Sequence, residues 1–156
     1  MANLKKYKVE VSYKPGVGDT LGEGLKKDIE DLGILGIEKI SLAQIYQVNG
    51  DLSSAEMEEV CQKLLSDTVV QDYKILSPSS PENGSPSIEI WYKKGVTDTV
   101  GESVKLGIHD LGIDKVNEVK TGQKYIFQGK INADQIKHIA EDLLANAIVN
   151  EYVIGV

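Results

Sequence analysis

Shifted by 79 residues, the chain matches itself without a gap. Segment 9–75 aligns on 88–154 with 23 identities in 67 positions. Tyr13-Lys14, Gly16-Val17, Asp19-Thr20 and Gly22-Glu23 recur as Tyr92-Lys93, Gly95-Val96, Asp98-Thr99 and Gly101-Glu102. Asp31-Leu32-Gly33-Ile34 recurs as Asp110-Leu111-Gly112-Ile113. Six of the seven tyrosines fall in three matched pairs, Tyr13/Tyr92, Tyr46/Tyr125 and Tyr73/Tyr152. A fixed-period self-match of this kind means a duplicated structural unit. Between the copies, Ser77 to Pro86 holds three of the four prolines together with Ser and Gly. That composition reads as a linker, with a flexible span of roughly 18 Å for ten residues. The expected organisation is a first repeat over 1–76, a linker over 77–86 and a second repeat over 87–156.

Each repeat reads as β-α-β-α-β. Tyr7, Val9, Val11 and Tyr13 alternate with Lys8, Glu10 and Ser12, and Ile88, Ile90 and Tyr92 alternate with Glu89, Trp91 and Lys93. Period two with β-branched and aromatic residues predicts a half-buried strand. A helix is expected from Thr20, with Glu23 completing a capping box, and again from Thr99 with Glu102. Its apolar face is Leu21, Leu25, Ile29 and Leu32, mirrored by Val100, Val104, Ile108 and Leu111. Gly33 and Gly112 stand where a left-handed C-cap belongs. Residues 37–49 and 116–128 look extended, as one stretch or broken into two, and end at Gly50 and Gly129.

A second helix is predicted from Ser53 with Glu56, and from Asn132 with Gln135. Its core face is Met57, Val60, Cys61, Leu64 and Leu65, mirrored by Ile136, Ile139, Ala140, Leu143 and Leu144. Strands over Val69–Leu76 and Ile148–Gly155 close the repeats. The fold class is α+β, each unit a small, mostly antiparallel sheet with two helices on one face. Such a unit has exposed edges and a thin core, so the two copies are expected to pair as a pseudo-dimer.

The charge balance excludes some functions. The 156 residues carry a net charge of −7, and all 17 basic residues are lysine. An acidic chain with no arginine fork is poorly suited to nucleic acid. A lone cysteine forms no internal disulfide, which suits a reducing compartment. No run approaches the roughly 20 apolar residues of a membrane span. A soluble, cytoplasmic protein is the expectation.

Each motif has a plain reading beside a functional one. The loop Lys14 to Thr20, repeated as Lys93 to Thr99, carries glycine and precedes a helix N-terminus, a geometry that suits phosphate. Yet Asp19 and Glu23, like Asp98 and Glu102, occupy the place of the anion, and no Walker-type Gly-Lys-Ser/Thr follows. The loop is therefore read first as a turn with a helix cap, and second as a contact site. His109 and His138 align with Glu30 and Glu59, so both read as solvated surface. Cys61 aligns with Ala140 on a buried stripe and reads as core rather than nucleophile. Neither a shared catalytic constellation nor metal-ligand spacing appears. Gln44, Tyr46, Gln123, Lys124 and Tyr125 lie on the middle strand, where Lys120 and Lys124 share a face. That face is read as exposed strand first and contact surface second. Trp91 lies off the core face, as a partner contact or as packing between the copies.

Together these residues resemble the PurS subunit of phosphoribosylformylglycinamidine synthase. The resemblance rests on Lys8-Val9-Glu10-Val11, Lys14-Pro15-Gly16-Val17, Asp19, Gly22 and Leu32-Gly33. It extends to Lys63-Leu64-Leu65 through Val69–Tyr73, and to Asp142–Asn146 through Val149–Tyr152. The family's Val-x-x-Val-Arg-x-Gly-Lys segment is echoed by Val116 to Lys124, with Lys120 for arginine and one residue inserted before the lysine. The first copy lacks it. The resemblance covers nearly the whole chain, twice.

It implies a non-catalytic subunit that bridges the synthetase and glutaminase components and aids ammonia transfer, within an ATP-dependent, glutamine-dependent C–N ligase of purine biosynthesis. PurS-like subunits are dimeric, and single-chain synthases carry a similar doubled module. The tandem chain then looks like a covalent dimer or such a module. No cofactor, metal or catalytic residue of its own is expected, and further self-association stays open. Contacts with partners are expected from Lys14, Gly16, Asp19, Trp91, Lys93, Gly95, Asp98, Lys120, Gln123 and Lys124. The alternative reading is a small-molecule-sensing regulatory module with its pocket between the copies.

Overall fold

A computed structural model describes residues 5–17, 19–76 and 85–155. The linker residues 77–84 lie outside this set, and so does the side chain of Asp19. In chain order the elements are β1 (Lys5–Tyr13), α1 (Asp19–Asp31), β2 (Ile37–Gly50), α2 (Ser54–Val60) and β3 (Gln71–Leu76). The second repeat supplies β4 (Ser87–Tyr92), α3 (Thr99–Asp110), β5 (Val116–Gly129), α4 (Ala133–Ile139) and β6 (Asn150–Gly155). Helices α2 and α4 run on into single π-helical turns, Cys61–Leu65 and Ala140–Leu144.

Most of the expected elements are present at the expected places. The extended stretches are unbroken 14-residue strands. Ser53 and Asn132 form full capping boxes with Glu56 and Gln135. Gly33 and Gly112 take φ of +89° and +90°, as left-handed caps require. The last strands begin two residues later than predicted, because Asp67 and Asn146 each organise a tight turn first.

Helix α3 corrects one expectation. Its N-cap is Asp98, not Thr99, and the Asp98 side chain accepts from the N–H of Gly101. The apolar faces of α1 and α3 also need correction. Leu21 is 62% exposed and Val100 46%, whereas the glycines beside them, Gly22 and Gly101, are buried. A Cβ on Gly22 would collide with the carbonyl oxygen of Ile40, and one on Gly101 with that of Val119. The first turn of each helix therefore rests directly on a strand backbone. Hydrophobic side chains reach the core only farther along, at Ile29 and Ile108, both fully buried.

The chain divides into two compact units that differ from the sequence repeats. One comprises the described residues of 1–14, 44–80 and 97–121, the other those of 15–43, 81–96 and 122–156. In the first, the strands run in the order β3-β1-β2-β5, using the C-terminal half of β2 and the N-terminal half of β5. Val9, Val11, Tyr46, Val48, Met57, Val60, Cys61, Ile108, Val116 and Val119 share its core. In the second the order is β2-β5-β4-β6, and Ile29, Ile37, Ile40, Ile88, Ile90, Phe127, Ile136 and Ile139 share the core. Helix α1 thus joins a core shared with β4, β5, β6 and α4 of the second repeat, and α3 joins one shared with β1, β2, β3 and α2 of the first.

Strand length explains the exchange. Fourteen extended residues cover about 46 Å, far more than one small core can span. Short connections hold α1 at the beginning of β2 and α2 at its end, so the two helices cover different halves. Where β1 meets β3 and β4 meets β6, the pairing is antiparallel, with Val9 opposite Ile75 and Ile88 opposite Ile154.

Candidate functional site

The sequence points to two places, the loop before α3 and the strand face around Trp91. At the first, Asp98 is a hub. Its carboxylate accepts from the backbone N–H of Gly101 (2.8 Å), the backbone N–H of Thr121 (2.6 Å) and the Thr121 hydroxyl (2.9 Å). Thr121 is only 4% exposed. An acid at a helix N-terminus gains from the helix dipole, and here it also ties the helix to β5. The carboxylate fills the position an anion would need, so this loop end is structural. Replacing Asp98 with Ala removes the cap and leaves the Thr121 N–H without its acceptor. The expected cost is about 1–3 kcal/mol, read as a lower midpoint in urea unfolding. An unchanged midpoint would show that Asp98 ties nothing.

The rest of the loop is open. Gly95 takes φ +90° and a Cβ there would meet nothing within 4 Å, and Gly16 behaves alike at +84°. Lys93 and Lys94 are exposed, while Lys14 is half-buried. The Lys93 backbone N–H donates to Val149 (2.8 Å) and its Nζ to the carbonyl of Ala147 (2.5 Å).

The strand face differs from a plain exposed surface. Glu89 lies directly opposite Lys124 in the β4–β5 ladder, and Trp91 opposite Gly122. Glu89 and Lys124 are 7% and 8% exposed, with their charged atoms 4.0 Å apart. Trp91 donates its indole N–H to Glu89 (3.1 Å), and its ring lies over Gly122. An aromatic side chain covering a cross-strand glycine pins the register of both strands. Lys124 is therefore a structural ion-pair residue. Lys120 and Gln123 are exposed. Tyr46 also departs from the exposed reading, since it is buried in the first core, where burial pushes its phenol pKa up.

The first copy carries a different solution at the equivalent positions. Ser12 replaces Trp91, Ala43 replaces Gly122 and Ile45 replaces Lys124. Ile45 is fully buried and Ala43 nearly so.

The remaining reactive groups are quiet. His109 and His138 lie at the surface beside Asp114 (3.0 Å) and Asp142 (2.6 Å). Cys61 is buried and its thiol is pushed up to about 12, first by burial and then by the negative Glu58. It should resist a thiol reagent at pH 8 in the folded protein and react once unfolded; fast reaction of the native protein would refute its burial. Because the folded pKa lies above the unfolded one, this group's contribution is present below the unfolded pKa near 8.5. It is lost as pH rises from there to about 12. Among the described residues no His/Cys/Asp/Glu group could hold a metal, and no helix is long and apolar enough to cross a membrane. A cleft of about 230 Å³ beside α3 is lined by Glu102, Lys105, His109 and Asp114 among others. It lies below the usual volume of a small-molecule site.

The comparisons with known proteins agree with the repeat. The profile of the family described as PurS: Phosphoribosylformylglycinamidine (FGAM) synthase matches the chain twice, over residues 6–78 and 86–156. A curated protein from Archaeoglobus fulgidus, phosphoribosylformylglycinamidine synthase subunit PurS, is 32% identical over 73 residues. The match covers 44% of this chain and 91% of that protein, so one repeat corresponds to nearly a whole relative. With both repeats matched almost end to end, the chain belongs to the PurS family of FGAM synthase.

Proposed function

We propose that this chain is a non-catalytic assembly subunit of an FGAM synthase in purine biosynthesis. In this reading it bridges the synthetase and glutaminase components in the cytoplasm and aids the passage of ammonia between them. The observation that carries it is the double family match over 6–78 and 86–156. The chemistry of the site is compatible. Asp98 and Lys124 are engaged in structural contacts, and the Cys61 thiol is held protonated. The residues open to a partner are Gly16, Lys93, Gly95, Lys120 and Gln123, with Lys14 and Trp91 half-buried. Residues 1–76 and 87–156 act as two copies of the family unit joined by the segment 77–86.

Reconstitution tests this directly. Synthetase and glutaminase are assayed with and without the chain, using either glutamine or free ammonia as nitrogen source. Omission should abolish most glutamine-dependent synthesis and spare the ammonia-dependent reaction. Equal glutamine-dependent rates with and without the chain would refute the proposal.

A further inference from the structure

Strand β3 is the outer strand of the first unit's sheet, and among the described strands it pairs only with β1. Its ladder fixes which main-chain groups face outward. One step beyond the Tyr13–Gln71 pair, the Lys14 N–H donates to the Val70 carbonyl (2.9 Å). Bonding alternates along an antiparallel strand, so Val70, Asp72 and Lys74 turn their main-chain groups toward β1, and Gln71, Tyr73 and Ile75 turn theirs to the open edge. The Gln71 N–H is already taken by the Asp67 carbonyl (2.7 Å). Side chains alternate too. Asp72 and Lys74 are exposed on one face, whereas Tyr73 and Ile75 pack against the first core on the other.

A lysine on an edge strand ordinarily discourages further pairing. Here an acid and a base flank a central residue, which makes the edge complementary to itself. When a second β3 runs antiparallel with Tyr73 opposite Tyr73, each Asp72 stands opposite a Lys74. Those are the non-hydrogen-bonded sites of the new ladder, where facing side chains come closest. Each Tyr73 N–H reaches the other Tyr73 carbonyl, and each Ile75 N–H reaches the Gln71 carbonyl of the second copy, so the Gln71–Asp67 bond is kept. Centred on Asp72 or on Lys74 instead, the pairing would set like charges together.

The surrounding charges either favour this arrangement or are already bonded. Within its own sheet Lys74 faces Glu10, and Asp72 faces the uncharged Ser12. On the helix side Glu58 accepts from the Tyr73 hydroxyl (2.5 Å), which offsets part of its charge. The outer strand of the second unit, β6, lacks the symmetry. Its equivalent positions are Glu151 and Val153, so the same self-pairing would set each acid against a valine. Pairing β3 with β6 would match Lys74 with Glu151 but leave Asp72 against Val153, and such a head-to-tail contact does not close.

We propose that β3 is a self-recognition edge, through which two copies of this chain associate antiparallel about Tyr73, with Asp72 of each facing Lys74 of the other. Six residues a side make a small contact, and two chains of net charge −7 repel at long range. The pairing is therefore weak and reversible, with Kd on the order of 100 µM. It stands apart from the assembly role above.

Sedimentation equilibrium of the full chain, from about 10 µM to about 1 mM, reads the association. The parent should pass from monomer to dimer and stop there. Lys74→Asp makes both edge charges acidic and Asp72→Lys makes both basic, so each variant alone should associate at least about 10-fold more weakly. An equimolar mixture of the two should regain the parent's dimer, because each acidic edge then meets a basic one; that recovery also shows that both variants fold. Val153→Asp, at a residue 53% exposed on β6, is the control and should associate as the parent does. A parent that stays monomeric throughout overturns the proposal. So does unchanged association in either charge variant, a mixture no stronger than its components, loss of the dimer by Val153→Asp, or growth beyond a dimer, which marks β3–β6 pairing. None of these outcomes depends on a synthetase or a glutaminase, so this inference and the assembly role fail separately.

Discussion

Gly22→Ala and Gly24→Ala, two residues apart on the same helix, should move stability in opposite directions. Position 24 is open, and a Cβ there meets nothing within 4 Å. Alanine at an exposed helical site gains up to about 1 kcal/mol over glycine, so Gly24→Ala should raise the melting temperature by a few degrees. At position 22 the same gain is available but the new Cβ collides with the backbone carbonyl of Ile40. A backbone oxygen has no rotamer to escape into, so the helix must lift off the strand. Overpacking of this kind costs about 1–3 kcal/mol, which outweighs the propensity gain. Gly101→Ala should behave like Gly22→Ala, because its Cβ meets the carbonyl of Val119. For a chain of this size, each kcal/mol lost is worth about 2–4 °C. Thermal melts by circular dichroism decide the matter. If Gly22→Ala and Gly101→Ala were as stable as the parent, the direct helix-on-strand contact would be wrong.

The second large effect concerns the linker. Cleavage at a protease site placed within Ser77–Pro86 should leave the two halves together on a sizing column. The cores demand it. Ile108 and Val116 of the second half are buried with Val9 and Met57 of the first, and Ile29 and Ile40 of the first with Phe127 and Ile136 of the second. Backbone bonds also join the halves, from Asp51 to the carbonyl of Lys115 (2.9 Å) and from Lys130 to that of Gly36 (2.8 Å). Cutting removes only the effective concentration that the linker supplies. The nicked protein should therefore melt near the intact temperature at high concentration, and lower on dilution, while the intact chain shows no such dependence. Prompt separation of the halves would contradict the shared cores.

Local chemistry made much of this legible in advance. The capping boxes at Ser53 and Asn132 need only residues within one turn, so their pattern is visible in the sequence. The same pattern assigns the N-cap of α3 to Thr99, one residue too late, although the helix does begin at Thr99. Asp98 and Thr99 are both competent caps, and Glu102 favours Thr99 on spacing alone. Asp98 prevails because its carboxylate also accepts from Thr121, which lies 23 residues away. The contact face was less legible. Lys124 carries a charge on an alternating strand and reads as exposed. It is buried because the ladder sets Glu89 opposite it, and register is a property of pairing rather than of either strand. The exposed apices Val69 and Ile148 read as strand residues, since nothing local distinguishes them before the turns at Asp67 and Asn146 are formed.

The amino-acid sequence by itself determined the duplication, the order of elements within each repeat, the turn glycines and the family. The first three follow from periodicity, capping and spacing, which act over a few residues or repeat along the chain; the family follows from the resemblance of the motifs and the double match of its profile. Only the tertiary structure decided which helix completes which core. Each repeat was expected to cover its own sheet with its own pair of helices. Instead α1 and α3 exchange cores, because the 14-residue strands β2 and β5 are too long for one small core and each serves two. That exchange depends on where distant strands pair, and no pattern within a single repeat records it.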